Sequence, residues 1–248
     1  MIIDMVIDMV IDELLSYLFD KQSHPLAQPL ADWLVSSRRF SAFVTAFRAK
    51  IRKKLRAAQE QENVLDLRLE LATAYMLLQE RTFSLVYEPQ QPGQGRCPDF
   101  AVTFTSSLTF MLEVTRLRAT PTSTPTSVRP ADRLADTICS KLGQLLPQRH
   151  NVLLVGVELL ELSSNQLNAA LVHIQKRVEG NDTQLLQRHR FRDRADFFQH
   201  YRRLSEVLVR EAQGPPSTAP LVWTNPQARY SLPSKVRTVL YTSQSPRA

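Results

Sequence analysis

Asp99 and Glu113 lie on either side of Thr105-Ser106-Ser107, a polar break between two strand-like runs, Asp99 to Thr105 and Leu108 to Arg116. Two such runs read as a hairpin. A turn over those three residues pairs positions whose numbers sum to 212, which sets Asp99 opposite Glu113. Directly opposed residues of antiparallel strands share a face, with Cβ atoms roughly 5 Å apart; a register slip of one residue would spoil the pairing. Two carboxylates that close repel each other, and one keeps its proton unless a cation lies between them. A hard divalent cation resolves the conflict. Mg²⁺ or Mn²⁺ takes oxygen ligands and keeps several waters, and a metal so held generates hydroxide and polarises a phosphoryl oxygen. The chemistry expected of this pair is metal-assisted hydrolysis.

Other constellations are missing from the sequence. The five histidines, His24, His150, His173, His189 and His200, form no His-X-X-X-His pair and no Cys/His set, which argues against a structural zinc. There is no Gly-rich phosphate loop and no Gly-X-Ser-X-Gly elbow of a serine hydrolase. Cys97 and Cys139 are too few for a disulfide framework and read as free thiols in a reducing cytoplasm.

The elements that must position the two carboxylates follow from periodicity. Met1 to Phe19 is apolar, but Asp4, Asp8 and Asp12 recur every fourth residue. That spacing predicts an amphipathic helix, rather than a membrane span or an export signal. Ala31 to Glu60 has apolar residues at helical spacing, with Arg48, Lys50, Arg52, Lys53, Lys54 and Arg56 between them. That charge run is expected on a solvated helix face, with a phosphate-binding patch as the alternative. A second helix covers Glu62 to Glu80, and Phe83 to Tyr87 is a short strand ahead of the hairpin. A Thr/Ser/Pro-rich loop (Ala119 to Val128) leads to a helix over Arg129 to Leu146, and Val152 to Val157 reads as a strand covered on both faces. Farther on, Gln166 to Val178 and Ala195 to Arg210 are expected to be helical, and Leu221 to Thr224 and Val236 to Thr242 to be short strands. The central order is helix, strand, strand, strand, helix, strand.

Cys97-Pro98-Asp99-Phe100, followed by Leu112-Glu113-Val114-Thr115, resembles the Pro-Asp … Glu-X-Lys signature of the PD-(D/E)XK nucleases. The element order also matches that family's αβββαβ core. The resemblance implies an α/β, three-layer, restriction-endonuclease-like fold, with a small mixed sheet flanked by helices and an N-terminal helical addition. Residues 1–60 would be the addition and residues 61–248 the nuclease domain, its core near 62–158. In such a family Asp99, Glu113 and the Val114 backbone carbonyl would ligate Mg²⁺ or Mn²⁺. A Glu on the preceding helix often reaches the same metal; Glu70 is the best match and Glu62 the second, with a helix-pairing or surface role as the alternative for Glu70. Thr115 stands where the signature has Lys. Some relatives carry that lysine on the following helix, and Lys141 is the candidate, with Gln144 three residues on and on the same side. The alternative for Lys141 is a side chain snorkelling at a helix border.

Charge sets the partner class. The chain of 248 residues carries a net charge of +7 and has a pI near 9.7, which favours polyanions, nucleic acid first among them. Arg96, Arg116 and Arg118 flank the hairpin and are candidates to hold phosphates. Arg188, Arg190, Arg192, Arg194, Arg202 and Arg203 interleave with Phe191, Phe197, Phe198 and Tyr201 in a pattern suited to nucleic acid, although Phe197, Phe198 and Tyr201 also sit at core-helix spacing. The expectation is a cytoplasmic, metal-dependent nuclease acting on DNA rather than RNA, with no membrane partner and a homodimer plausible for cutting two strands. The rivals are an inactive descendant that binds nucleic acid or protein, and an assembly protein using its first helix.

Overall fold

The structure is a computed structural model; it describes residues 2–20, 22–90, 97–118, 130–158, 163–214 and 216–246, with backbone alone for residues 2–10 and 130. The expected Thr/Ser/Pro loop and Arg96 lie outside the described residues. Five helices come first: α1 (Ile2–Phe19), α2 (Ala27–Ser36), α3 (Arg38–Ala46), α4 (Arg48–Ala57) and α5 (Gln61–Gln79). They are followed by β1 (Phe83–Tyr87), β2 (Phe100–Phe104), β3 (Leu108–Arg116), α6 (Pro130–Leu142) and β4 (His150–Val157). The chain ends with α7 (Ser164–Glu179), α8 (Thr183–Arg188), α9 (Arg194–Tyr201), β5 (Leu204–Glu211), β6 (Leu221–Thr224) and α10 (Ser234–Ser243).

The six strands form one mixed sheet in sequence order, antiparallel at β1–β2–β3 and β5–β6 and parallel at β3–β4–β5. Period-2 alternation gives the sheet two apolar faces. On one face Leu112, Val152, Leu154 and Leu208 pack with α1–α5 and α10; on the other Leu153, Val155, Val207 and Val209 pack with α6–α9. The protein is thus α/β, with helices on both sides of the sheet. Leu14, Leu18, Leu34, Phe40 and Ile51 of the first four helices belong to the same core as Leu69 of α5, so the N-terminal layer shares the sheet's core.

Three expectations need correction. The single helix over Ala31 to Glu60 is three, because Ser37 is extended and its hydroxyl accepts from Phe40 N–H as the N-cap of α3, and Phe47 interrupts the chain again before α4. The helix over Ala195 to Arg210 stops at Tyr201. Beyond it Leu204 to Arg210 is buried without a break and forms the interior strand β5; Phe197, Tyr201, Leu204 and Leu208 also fit helical spacing, which hides the change. The strand over Val236 to Thr242 is helix α10, which buries Val236 and Leu240, four apart, on one face.

One stripe of α5 fixes its seat on the sheet. Arg116, Gly156 and Arg210 are in register across β3, β4 and β5. The buried Arg116 guanidinium meets Glu62, Asp66 (3.1 Å) and Glu158 (3.5 Å). Arg210 Nη2 donates to Thr73 Oγ1 at 3.0 Å, and a Cβ on Gly156 would stand 2.5 Å from Leu69 Cδ2. Residues 62, 66, 69 and 73 share one helical face. With that face clamped to the sheet, Glu70 is turned toward β1 and the start of β2.

Candidate functional site

The hairpin has the expected register: Phe100 pairs with Leu112, Ala101 with Met111 and Val102 with Phe110. One step further along, Asp99 stands at the mouth of the strand pair beside Glu113. Its carboxylate is fixed by the backbone, Oδ2 accepting from Val114 N–H at 2.8 Å, and its own carbonyl accepts from Glu88 N–H at 2.8 Å. Burial, then the Glu70 and Glu113 carboxylates, hold the Asp99 pKa well above the ordinary range, against the pull of the Val114 N–H and Lys54.

Glu113 is buried on β3, and its Oε1 accepts from Lys141 Nζ at 2.9 Å. The lysine of α6 therefore reaches Glu113 of the carboxylate pair. Gln144 lies just past the end of α6, where its N–H bonds the Lys141 carbonyl at 3.0 Å.

Glu70 reaches the same cluster from α5. Its pKa is raised by burial, although Lys54 Nζ stands 2.6 Å from its Oε1. Lys54, on α4, also meets Glu88 Oε1 at 3.0 Å and lies 4.9 Å over the Tyr87 ring. Burial opposes the Lys54 charge, but Glu70, Asp99 and Glu88 together outweigh it and the pKa rises. The buried Tyr87 hydroxyl has no well-formed hydrogen bond, and burial and Glu70 push its pKa far up. Four carboxylates, Glu70, Glu88, Asp99 and Glu113, thus face two ammonium groups, Lys54 and Lys141. With all of them ionised, the cluster carries a net charge of about −2, which one divalent cation would neutralise.

Among the described residues no three acidic, thiol or imidazole side chains already converge as a metal cage. Lys54 holds Glu70 alongside Glu88, and Lys141 holds Glu113 on the α6 side. The donor set nevertheless fits a hard cation: it is all oxygen, largely buried, and under like-charge repulsion that the two ammonium groups only partly offset.

The flanking arginines divide. The Arg116 side chain is withdrawn into the α5 ion-pair cluster, so the expectation of a phosphate contact is corrected: its donors face Glu62, Asp66 and Glu158 rather than solvent. Arg118 is half-exposed, pairs with Asp66 and donates to Asn63 Oδ1 at 3.2 Å. It borders a cleft of about 740 Å³ that runs from Thr115 past Ser140 to Arg188. Neither this cleft nor a tighter cavity of about 150 Å³ among α6, α7 and α8, at Asp136, Cys139 and His189, is lined by any of the four carboxylates.

Sequence reasoning missed Lys54, Tyr87 and Glu88. The basic run of α4 is not a uniformly solvated face: Arg52 and Arg56 bind Asp20, Lys50 Nζ donates to the carbonyls of Tyr87 (2.9 Å) and Glu88 (2.8 Å), and Lys54 enters the site. The available signal was that Lys50 and Lys54 sit four apart, beside the buried Ile51 and Leu55. No family model, curated protein or solved structure matches the chain. Among the described residues no helix is long and apolar enough to cross a membrane.

Proposed function

We propose that the protein is a metal-dependent nuclease with a restriction-endonuclease-like core, hydrolysing phosphodiester bonds of DNA. The observation that carries this reading is the 2.9 Å contact of Lys141 Nζ with Glu113, beside Asp99: a lysine from the next helix stands in for the one missing at Thr115. Asp99 and Glu113, with the Val114 carbonyl and Glu70, are the groups that would hold Mg²⁺ or Mn²⁺, and the metal would supply Lewis acidity and a water of lowered pKa. The Lys141 ammonium is placed to offset negative charge developing on a phosphate bound beside Glu113. Gln144, next to Lys141 at the end of α6, is suited to position water or substrate. Tyr87, Phe100 and the helices over them keep bulk water from one side of the cluster.

A polyanionic substrate is favoured by the segment from Arg188 to Arg203, where six arginines stand against two aspartates. Phe191, Phe197 and Tyr201 are buried there as core, which leaves the arginines as the outward-facing chemistry. Arg190, Arg194 and Arg202 are exposed. Arg188 lines the cleft that leads to Thr115, two residues from Glu113. The DNA preference comes from the resemblance alone.

The test is cleavage of labelled single-stranded and duplex oligonucleotides by the wild type in Mg²⁺, Mn²⁺ or chelator, alongside Asp99→Ala. Metal-dependent cleavage lost in Asp99→Ala supports the proposal. Cleavage that survives in Asp99→Ala places the activity elsewhere. Intact substrate in both metals replaces the enzyme with a binding module built on the same frame.

A further inference from the structure

We infer that Lys54 is the resident cation at Glu70 of the carboxylate centre, and that a divalent metal competes with its ammonium for that carboxylate. The inference rests on the metal-centre reading above and adds the group that regulates it. Three contacts define the seat. Lys54 Nζ is 2.6 Å from Glu70 Oε1 and 3.0 Å from Glu88 Oε1, and it lies over the Tyr87 ring at 4.9 Å. An ammonium within hydrogen-bond distance of a carboxylate occupies a lone-pair direction that a metal would use. The ammonium at Glu70 therefore competes with a metal for that carboxylate, both for a lone pair and through charge repulsion.

The second contact gives the displaced ammonium somewhere to go. Glu88 already shares it, at the end of β1, and Lys50 Nζ donates to the Glu88 and Tyr87 carbonyls, which holds that corner of the chain in place. Lys54 can leave Glu70, stay on Glu88, and remain next to the metal site as a free donor for a substrate phosphate oxygen. The N-terminal helical layer thereby supplies part of the centre. Lys54 acts on Glu70, so its role in metal uptake is that of a positioning residue.

Competition has a sign that a purely structural role lacks. Removing the competitor tightens metal binding, whereas loosening the site weakens it. Mn²⁺ binding would be measured by calorimetry, with free Mn²⁺ counted independently by electron paramagnetic resonance, on full-length wild type, Lys54→Met, Lys54→Arg and Lys53→Met; thermal melts confirm that each variant is folded. Lys54→Met is expected to bind Mn²⁺ at least about tenfold more tightly, a difference of about 1.4 kcal/mol. Lys54→Arg keeps the charge and the pairing and should show no tightening. Lys53→Met removes the same charge from the neighbouring, exposed position, and should change the affinity less than about threefold if displacement rather than net charge is responsible. Equal affinity in wild type and Lys54→Met, or equal tightening in Lys53→Met, overturns the inference and leaves the metal centre standing. Absence of Mn²⁺ binding in both wild type and Lys54→Met overturns the metal centre, and the inference with it.

Discussion

Asp99→Asn should make the metal-free protein more stable at neutral pH. In the folded chain Asp99 is buried against Glu70 and Glu113, and its pKa is held well above the ordinary value. Each unit of such a rise is about 1.4 kcal/mol of preference for the protonated form. A folded pKa above the unfolded one gives a contribution to stability that is complete below about pH 4 and is lost as pH rises through the folded value. Above that value the folded chain holds an ionised carboxylate against its surroundings. An asparagine keeps an oxygen for the Val114 N–H, 2.8 Å away in the wild type, and removes the charge. The expected gain in chelator at pH 8 is about 1–3 kcal/mol, the usual cost of a buried polar group held without full compensation. It should shrink toward zero as pH falls below about 4, where the wild-type carboxylate becomes neutral in both states. Urea denaturation followed by tryptophan fluorescence at pH 4.5, 6 and 8 measures the difference between the two proteins, which isolates Asp99 from other titrating groups. Added Mn²⁺ should invert the order, since a ligand that binds only the folded wild type stabilises it by RT ln(1 + [L]/Kd). An asparagine variant no more stable than wild type at pH 8 would refute the electrostatic crowding on which the centre rests.

Gly156→Ala should destabilise the fold by about 1–3 kcal/mol in urea, the usual cost of overpacking, because the new methyl would sit 2.5 Å from Leu69 Cδ2 where α5 crosses the sheet. Lys141→Met should keep or tighten Mn²⁺ binding, since Glu113 loses the partner at 2.9 Å, while cleavage in a gel assay falls by about 10²-fold, as on losing one electrostatic donor to the transition state. Replacing Arg190 and Arg194 together with glutamate should weaken binding of single-stranded and duplex DNA alike in anisotropy titrations, and lower the slope of log K against log salt by about one for each lost phosphate contact. An unchanged salt slope would move the polyanion track away from the α8–α9 loop.

The parts of the fold written in local pattern were legible. The hairpin register follows from a polar turn at Ser106 between two runs of strand-formers, and the observed pairs keep it. The helix over Gln61–Gln79 and the strand over His150–Val157 announce themselves by period and by an unbroken apolar run. The layer's breaks at Ser37 and Phe47 were hidden because apolar spacing continues in phase through both. β5 was hidden because a strand buried on both faces has no alternation to distinguish it from a buried helix. The site was legible where two carboxylates share a hairpin, and illegible where it depends on tertiary docking. Lys54 lies sixteen residues before Glu70, and nothing local says that α4 turns that side chain inward. Arg116 misled for the same reason: a basic residue next to a carboxylate pair looks like a phosphate ligand until α5 is seen to bring Glu62 and Asp66 onto it.

The central claim is that Glu70, Asp99 and Glu113 form a divalent-metal centre. Anomalous X-ray diffraction from crystals of the wild type grown with Mn²⁺ tests it most directly. The account predicts one anomalous peak at the mouth of the β2–β3 hairpin, with Asp99 and Glu113 oxygens roughly 2.0–2.3 Å from it and Lys54 Nζ moved from Glu70 onto Glu88. Strong Mn²⁺ peaks elsewhere, with Lys54 still on Glu70 and none between the carboxylates, would contradict it.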